Sequence, residues 1–398
     1  MKLPAVGFSL CLLTTVSAAD WPQWRGPNRD GISTETGWTS QWPATGPKQV
    51  WKAGVGTGYS GISVANGRLY TLGNTGSTDT VFCLDAGTGA VIWKHLYACD
   101  PKDPMGYVGP RCTPTVDASR VFTVSRLGHL FCLDAVTGKV LWEKDLQKAY
   151  AAKPPKWGFA GSPLVEGNLL LLEGGGKGSG LVALDKATGA EVWKSGDDAA
   201  GYSSAVVTGT GAERRVIMLH SRAAVARRVS DGRELWRHPW KTSYDVNAAT
   251  PIVAGDRLFI SSGYNHGGAL LQIGDGAPKV VWENKNMCNQ MNPSVLIKGH
   301  LYGFDENELR CVDFNSGAVK WRELKFGKGS VMAADGKLII LGDRGLLGLA
   351  KVSSTGYAEL ASAQVIGGKD VWVVPVLANG RIYCRSKADL VCLDVGGK

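Results

Sequence analysis

The sequence predicts an all-β chain folded as an eight-bladed β-propeller of four-stranded blades. Three observations carry this expectation: an internal repeat closed by Trp every 39–51 residues, dense tight-turn signals inside each copy, and a last copy missing the one strand that the N-terminus has to spare.

The repeat is clearest where Phe82-Cys83-Leu84-Asp85-Ala86-Gly87-Thr88-Gly89 leads to Trp93. Asp134 and Gly138 before Trp142, and Asp185 and Gly189 before Trp193, repeat the pattern. Degraded copies run from Arg228 to Trp236 and from Asp313 to Trp321, and Trp282 marks a copy whose turn has become Gly274-Asp275-Gly276. Upstream of each lies a β-branched run, often opened by Pro, as in Thr113-Pro114-Thr115-Val116 and Thr250-Pro251-Ile252-Val253. A turn such as Ala65-Asn66-Gly67 then leads to a second strand, the Leu-Asp strand is third, and the Trp strand is fourth. In the recurring turn, Asp or Thr can bond its own backbone while Gly takes positive φ. Trp can pack its flat face between neighbouring blades, with its N–H satisfied at the edge.

Six blades end at Trp93, Trp142, Trp193, Trp236, Trp282 and Trp321; a seventh runs from Gly329 to Leu360 without Trp. The eighth reaches Leu393-Asp394 and lacks its Trp strand, whereas Pro47-Lys48-Gln49-Val50-Trp51 is a Trp strand with no blade before it. Pairing them closes the ring and removes exposed sheet edges. One propeller over 47–398 thus replaces the two or three domains that length alone suggests. The 53 Gly in 398 residues, about twice average usage, fit a chain of turns. The lack of a three-residue Gly period excludes collagen, and 44% hydrophobic residues exclude disorder.

Met1-Lys2, the apolar run from Leu3 to Val16 and the exit Ser17-Ala18-Ala19 predict a secretory signal peptide over 1–19, cleaved after Ala19. Cys11 follows Leu10, without the small residue of a lipoprotein signal, so no lipid anchor is expected. No later run is long and apolar enough to form a membrane-spanning helix. The expectation is an exported, monomeric protein, periplasmic or extracellular. Residues 20–46, with Trp21, Trp24, Trp38 and Trp42, are expected to pack on the propeller. Cys83, Cys132, Cys311 and Cys392 occupy the core position where Ala183 stands in another copy, which favours free thiols. Cys99 with Cys112 is the best candidate bridge, followed by Cys384 with Cys392. The net charge of +9 is scattered without a basic stripe, so no nucleic-acid partner is expected.

The unit Leu-Asp-x-x-Thr-Gly-x-x-x-Trp, at Leu84 to Trp93, Leu133 to Trp142 and Leu184 to Trp193, resembles the repeat of the pyrroloquinoline-quinone-type propellers. Trp21-Pro22-Gln23-Trp24-Arg25-Gly26-Pro27 is similar to the N-terminal lead of secreted bacterial members. The resemblance points to the non-enzymatic eight-bladed branch, which includes the propeller lipoprotein of the outer-membrane barrel assembly machine. It also implies an alternative, the quinoprotein dehydrogenases. Those need a Trp floor, a Ca²⁺ held by carboxylate and amide, an Asp base and commonly adjacent cysteines. No two Cys are adjacent here, and no Cys-x-x-Cys-His haem attachment occurs.

The loops entering each first strand are expected to converge on one end of the channel. They carry Tyr59, Arg111, Trp157, Tyr202, Asn247, Asn289, Lys328, Asp370 and Trp372, with Tyr107, Gln290 and Asn292 beside them. The set predicts either a ligand site or the polar caps and ordered water that any ring of inner strands needs. The six His lack metal-ligand spacing, no Ser sits in a nucleophile elbow, and the Gly174–Gly180 run is not followed by a P-loop helix. No catalytic residue and no metal site is assigned. The expected function is non-catalytic recognition of a protein or other envelope component. A quinone-dependent oxidoreductase and a sugar- or peptide-binding mouth are the alternatives, and the quinone with Ca²⁺ is a cofactor only under the first of these.

Overall fold

Short apolar runs separated by Asn-Gly, Asp-Gly and Asp-x-x-x-Gly turns fold back on themselves as hairpins, and four such strands make each blade. The computed structural model describes residues 19–101, 103 and 105–397. Its sheets form eight blades, six of them built in plain chain order from strand to neighbouring strand. Helix among the described residues is limited to Leu146–Tyr150 and the short turn Gly211–Glu213. The leader, including Cys11, lies outside the described residues apart from Ala19.

Blade 8 is built from two ends of the chain. Val376–Ala378, Arg381–Arg385 and Asp389–Asp394 form three strands, and Lys48–Gly54 supplies the fourth, with Trp51 opposite Cys392 and Lys48 opposite Asp394. The chain therefore closes into an eight-bladed β-propeller through its own N-terminal strand. Blade 7 (Ser330–Ala334, Lys337–Leu341, Leu346–Lys351, Glu359–Gln364) takes the two-residue strand Ile32–Ser33 as a parallel fifth member.

The repeat has one physical purpose, which is the joint between blades. In each complete copy the Asp carboxylate accepts three bonds from its own turn. Asp134 Oδ1 takes the N–H of Val136 (3.0 Å) and both the N–H and hydroxyl of Thr137 (2.8 Å each). Those bonds hold the carboxyls of Asp85, Asp134, Asp185 and Asp313 below the usual carboxylate range. The turn ends on a Gly at positive φ, and the Trp of the preceding blade lies flat against it. A Cβ on Gly138 would stand 2.6 Å from the Trp93 ring, and one on Gly89 2.6 Å from Trp51. The indole N–H then caps the turn: Trp51 donates to Ala86 O (3.0 Å), Trp93 to Ala135 O (3.1 Å), Trp193 to Val229 O (2.9 Å) and Trp282 to Phe314 O (2.9 Å). Trp236 faces the copy whose turn has changed, and its buried indole N–H has no acceptor among the described residues.

The eight described cysteines are all buried and free, which overturns both candidate bridges. Cys384 pairs with Val391 and Cys392 with Tyr383, so the two thiols stand on opposite faces of blade 8. Cys112 packs in the core between blades 2 and 3, while Cys99 faces the Asp79 carboxylate. Glycines 174 and 176 belong to the strand Leu169–Gly176, and the chain turns at Lys177-Gly178.

Between blades 3 and 4 lies a buried polar cluster. Glu173 Oε1 faces His220 Nδ1 at 3.0 Å, Arg227 lies 3.1 Å from the other ring nitrogen, and Arg227 donates to Asp198 at 2.6 Å. Burial pushes the Asp198 carboxyl up, but Arg237, His220 and Arg227 outweigh it and hold it at about 2.

The N-terminal segment does not lie over the ring; it enters the channel. Trp21 pairs backbone-to-backbone with Val64 of blade 1 (2.8 Å both ways), and Pro22 O accepts from Val116 of blade 2 (2.8 Å). The Trp24 indole donates to Thr250 Oγ1 before blade 5 (2.8 Å), Arg25 to Ser294 O before blade 6 (2.8 Å), and Arg29 to Pro163 O before blade 3 (3.3 Å). Gly31 O accepts from Ala333 of blade 7. Arg25 and Arg29 are buried, and burial brings them down to about 10 and about 9. Their guanidinium donors cap strand-end carbonyls that the narrowing channel would otherwise strip of water.

Candidate ligand-binding site in the channel mouth

The inner strands are short, and the chain entering each one forms the opposite rim. These entries enclose a cavity of about 380 Å³, within the size range of small-ligand pockets. Its floor is Trp24 of the N-terminal plug, and its walls carry Tyr59, Tyr107, Trp157, Tyr202, Tyr264 and Trp372. Tyr59 and Trp372 stack with ring centroids 5.3 Å apart and planes inclined by 21°, and Tyr107 leans on Trp372 at 5.5 Å. Trp157 and Tyr202 face each other at 5.8 Å, and the Trp157 main-chain N–H donates to the Tyr202 hydroxyl (3.4 Å).

Arg111 is the one cation among the described residues lining the cavity. It donates to Gly109 O (2.9 Å) and Tyr107 O, meets Asp103 at 3.4 Å, and lies over the Tyr59 ring at 5.7 Å. Arg126 shares Asp103 at 3.6 Å. Burial and the neighbouring Arg126 lower the Arg111 pKa, while Asp103 raises it. Asn292 donates to Trp372 O (2.9 Å), and Gln290 accepts from Lys328, which leaves the Asn292 oxygen and the Gln290 amide nitrogen to a ligand. Burial raises the phenols of Tyr59 and Tyr202, the latter to about 12, so both stay protonated and can donate.

Of the nine residues expected at the mouth, Tyr59, Arg111, Trp157, Tyr202 and Trp372 line this cavity. Two others stand one contact behind it. Lys328 holds Gln290 and lies 3.8 Å from Glu306, and Asp370 pairs with Lys387 (2.7 Å), whose ammonium lies over Tyr59. Asn247 and Asn289 do not reach the cavity, because each is consumed by the backbone beneath it. The Asn247 amide donates to the carbonyls of His220, Ser221 and Trp240, and its oxygen accepts from Ser262. Asn289 donates to Phe304 O and accepts from both the N–H and hydroxyl of Ser294. Trp24, Tyr264, Met105 and Met291 line the cavity without having been expected there. Only the Trp-rich N-terminal lead held a signal for any of them.

The profile of the family described as outer membrane protein assembly factor BamB matches residues 77–323. The chain belongs to this family. Among solved structures, BamB from Moraxella catarrhalis is 15% identical, with a TM-score of 0.64 over 87% of this chain and 99% of that one. The quinohemoprotein alcohol dehydrogenase from Comamonas testosteroni is 13% identical, with a TM-score of 0.69 over 95% and 81%. A europium-containing methanol dehydrogenase is 14% identical, with a TM-score of 0.68 over 94% and 89%. At these identities the likeness is one of fold. No curated protein matches the chain.

The dehydrogenase likeness raises the question of whether quinone and Ca²⁺ suit this BamB-family mouth. A Trp floor is present in Trp24, but the donor set is wrong. No Asp, Glu or His is among the described residues lining the cavity. No group of three His, Cys, Asp or Glu suited to a metal occurs among the described residues. The hydroxyl oxygens of Ser162 and Ser204 accept from the main-chain N–H groups of Thr113 and Ser162 (2.9 Å each). The described lining of the mouth therefore offers stacking faces and hydrogen bonds, without a carboxylate to hold Ca²⁺ or to take a proton.

Proposed function

We propose that the protein is a non-catalytic recognition module of the cell envelope, exported by its leader, which binds a compact group of its partner in the channel mouth. The observation that carries this reading is the cavity itself: aromatic faces, one guanidinium and two amides on a closed floor, with no carboxylate, His or Cys among its described lining residues. Aromatic side chains and Arg are the residue types that dominate binding energy in such pockets. Membership of a family named for an outer-membrane assembly factor supports the envelope setting. A protein side chain or a sugar ring meets the chemistry of the walls equally, and both stack on Trp and Tyr.

A photo-crosslinking residue in place of Met105, exposed on the mouth rim, tests this in cells. The same residue at Thr36, exposed beside the plugged end, serves as the control. Adducts are expected from position 105, and Trp372→Ala should weaken them by about 2 kcal/mol of affinity, roughly 30-fold, with little change in thermal stability. Adducts from position 36 alone would place recognition on the other face.

A further inference from the structure

The plug carries a carboxylate that lacks a cation among the described residues. Glu35 is fully buried. Among the described residues its oxygens accept only main-chain N–H groups: those of Asn379, Gly380 (3.0 Å) and Ala19 (3.2 Å). No Lys, Arg or His side chain is in ion-pair contact with it among the described residues, although surface carboxylates such as Asp389 and Glu359 have such partners. A second carboxylate, Asp20, stands close by. Its oxygens accept from the Asn66 main-chain N–H (3.0 Å) and the Asn379 side-chain amide (3.1 Å). Burial, with Asp20 adding to it, pushes the Glu35 carboxyl up.

The place in the fold matters. Asn66 turns between the first two strands of blade 1, and Asn379-Gly380 makes the same turn in blade 8. Asp20 and Glu35 thus staple the seam at which the ring is closed by strands from opposite ends of the chain. Two carboxylates here, one fully buried, call for a positive charge. Among the described residues, the one nitrogen in contact with Glu35 that could carry one is the Ala19 main-chain nitrogen, if it is a terminus.

Two peptide bonds at the leader exit offer small or short side chains at the positions a signal peptidase reads. Ala19–Asp20 presents Ser17 and Ala19, and Ala18–Ala19 presents Val16 and Ala18. Cutting the first removes the Ala19 nitrogen and its bond to Glu35. Cutting the second leaves that nitrogen in place as an α-ammonium. We propose that the mature chain begins at Ala19 and that its α-ammonium pairs with Glu35, so that leader removal completes the seam of the propeller. Water adds across the Ala18–Ala19 bond: its hydroxyl goes to the Ala18 carbonyl carbon, and the Ala19 nitrogen leaves as an amine that takes up a proton. This inference rests on the export reading and replaces the cut after Ala19 expected from sequence.

The test is the intact mass of the full-length gene product, expressed with its own leader in a bacterium and purified after export. A chain starting at Ala19 is expected. A start at Asp20 or any other residue overturns the inference while leaving export standing, and a chain retaining Met1 overturns export as well. The ion pair is read separately by the rate of N-terminal acylation of the folded protein at pH 7. Pairing with Glu35 should raise the amine pKa by about one unit and slow labelling about tenfold relative to Glu35→Gln. Should Glu35→Gln fail to fold, Asp20→Asn provides the comparison, with labelling a few-fold faster than wild type. Equal rates in wild type and variant overturn the pairing even if the chain starts at Ala19.

Discussion

Trp51→Ala lowers the unfolding free energy by about 3–5 kcal/mol, and deletion of residues 20–54 abolishes the cooperative unfolding of the ring. Trp51 is the outer-strand residue of blade 8 and at the same time the joint to blade 1. Its ring covers Gly89, its N–H caps Ala86 O at 3.0 Å, and it packs 5.9 Å from Tyr383. Truncation leaves a void between blades and removes one of two donors to Ala86 O, the other being the Tyr383 hydroxyl at 3.1 Å, so the void carries most of the cost. Deletion goes further, since it removes a strand from blade 8 and with it the plug that ties inner strands around the ring. Urea melts followed by circular dichroism and by Trp fluorescence measure both. A deleted protein with the wild-type midpoint and slope would show that blade 8 needs no fourth strand.

Gly138→Ala costs about 2–4 kcal/mol, whereas Gly67→Ala costs about 1 kcal/mol. Both glycines sit at positive φ, +74° and +70°, so the backbone strain of a Cβ is common to the two. They differ in what the Cβ meets: the Trp93 ring at 2.6 Å in one, nothing within 4 Å in the other. Trp93 cannot retreat, because Tyr70 packs against it at 5.9 Å and its N–H is bound to Ala135 O. The difference between the two variants in chemical denaturation thus isolates the blade-to-blade contact. Equal losses would mean that Trp packing contributes nothing beyond local geometry.

The ring was legible in the sequence because its interactions are local and repeated. Asp134, Thr137 and Gly138 solve their turn within five residues, and the Trp that covers Gly138 lies one blade back, so spacing alone exposes the design. Closure was legible from one missing and one spare strand. The course of the N-terminal lead was not, because Trp24 finds its partner at Thr250, 226 residues away, and nothing in its composition separates packing over a ring from entering it. The same limit explains the mouth. Position in a loop told that Asn247 and Asn289 lie near the rim, but only three-dimensional crowding decides that their amides turn down to satisfy buried carbonyls. The cysteine bridges failed for a related reason. Cys384 and Cys392 share a hairpin, yet the register puts them on opposite faces of it.

The central claim is that an aromatic mouth on this fold serves recognition rather than quinone chemistry. Its most direct test is titration of the purified full-length protein with pyrroloquinoline quinone and Ca²⁺, followed by the bound-quinone spectrum and by dye reduction with alcohols and sugars. With no carboxylate among the described residues lining the cavity, the account predicts neither saturable Ca²⁺-dependent binding nor turnover. Stoichiometric binding with dye reduction, lost in Trp372→Ala, would contradict it.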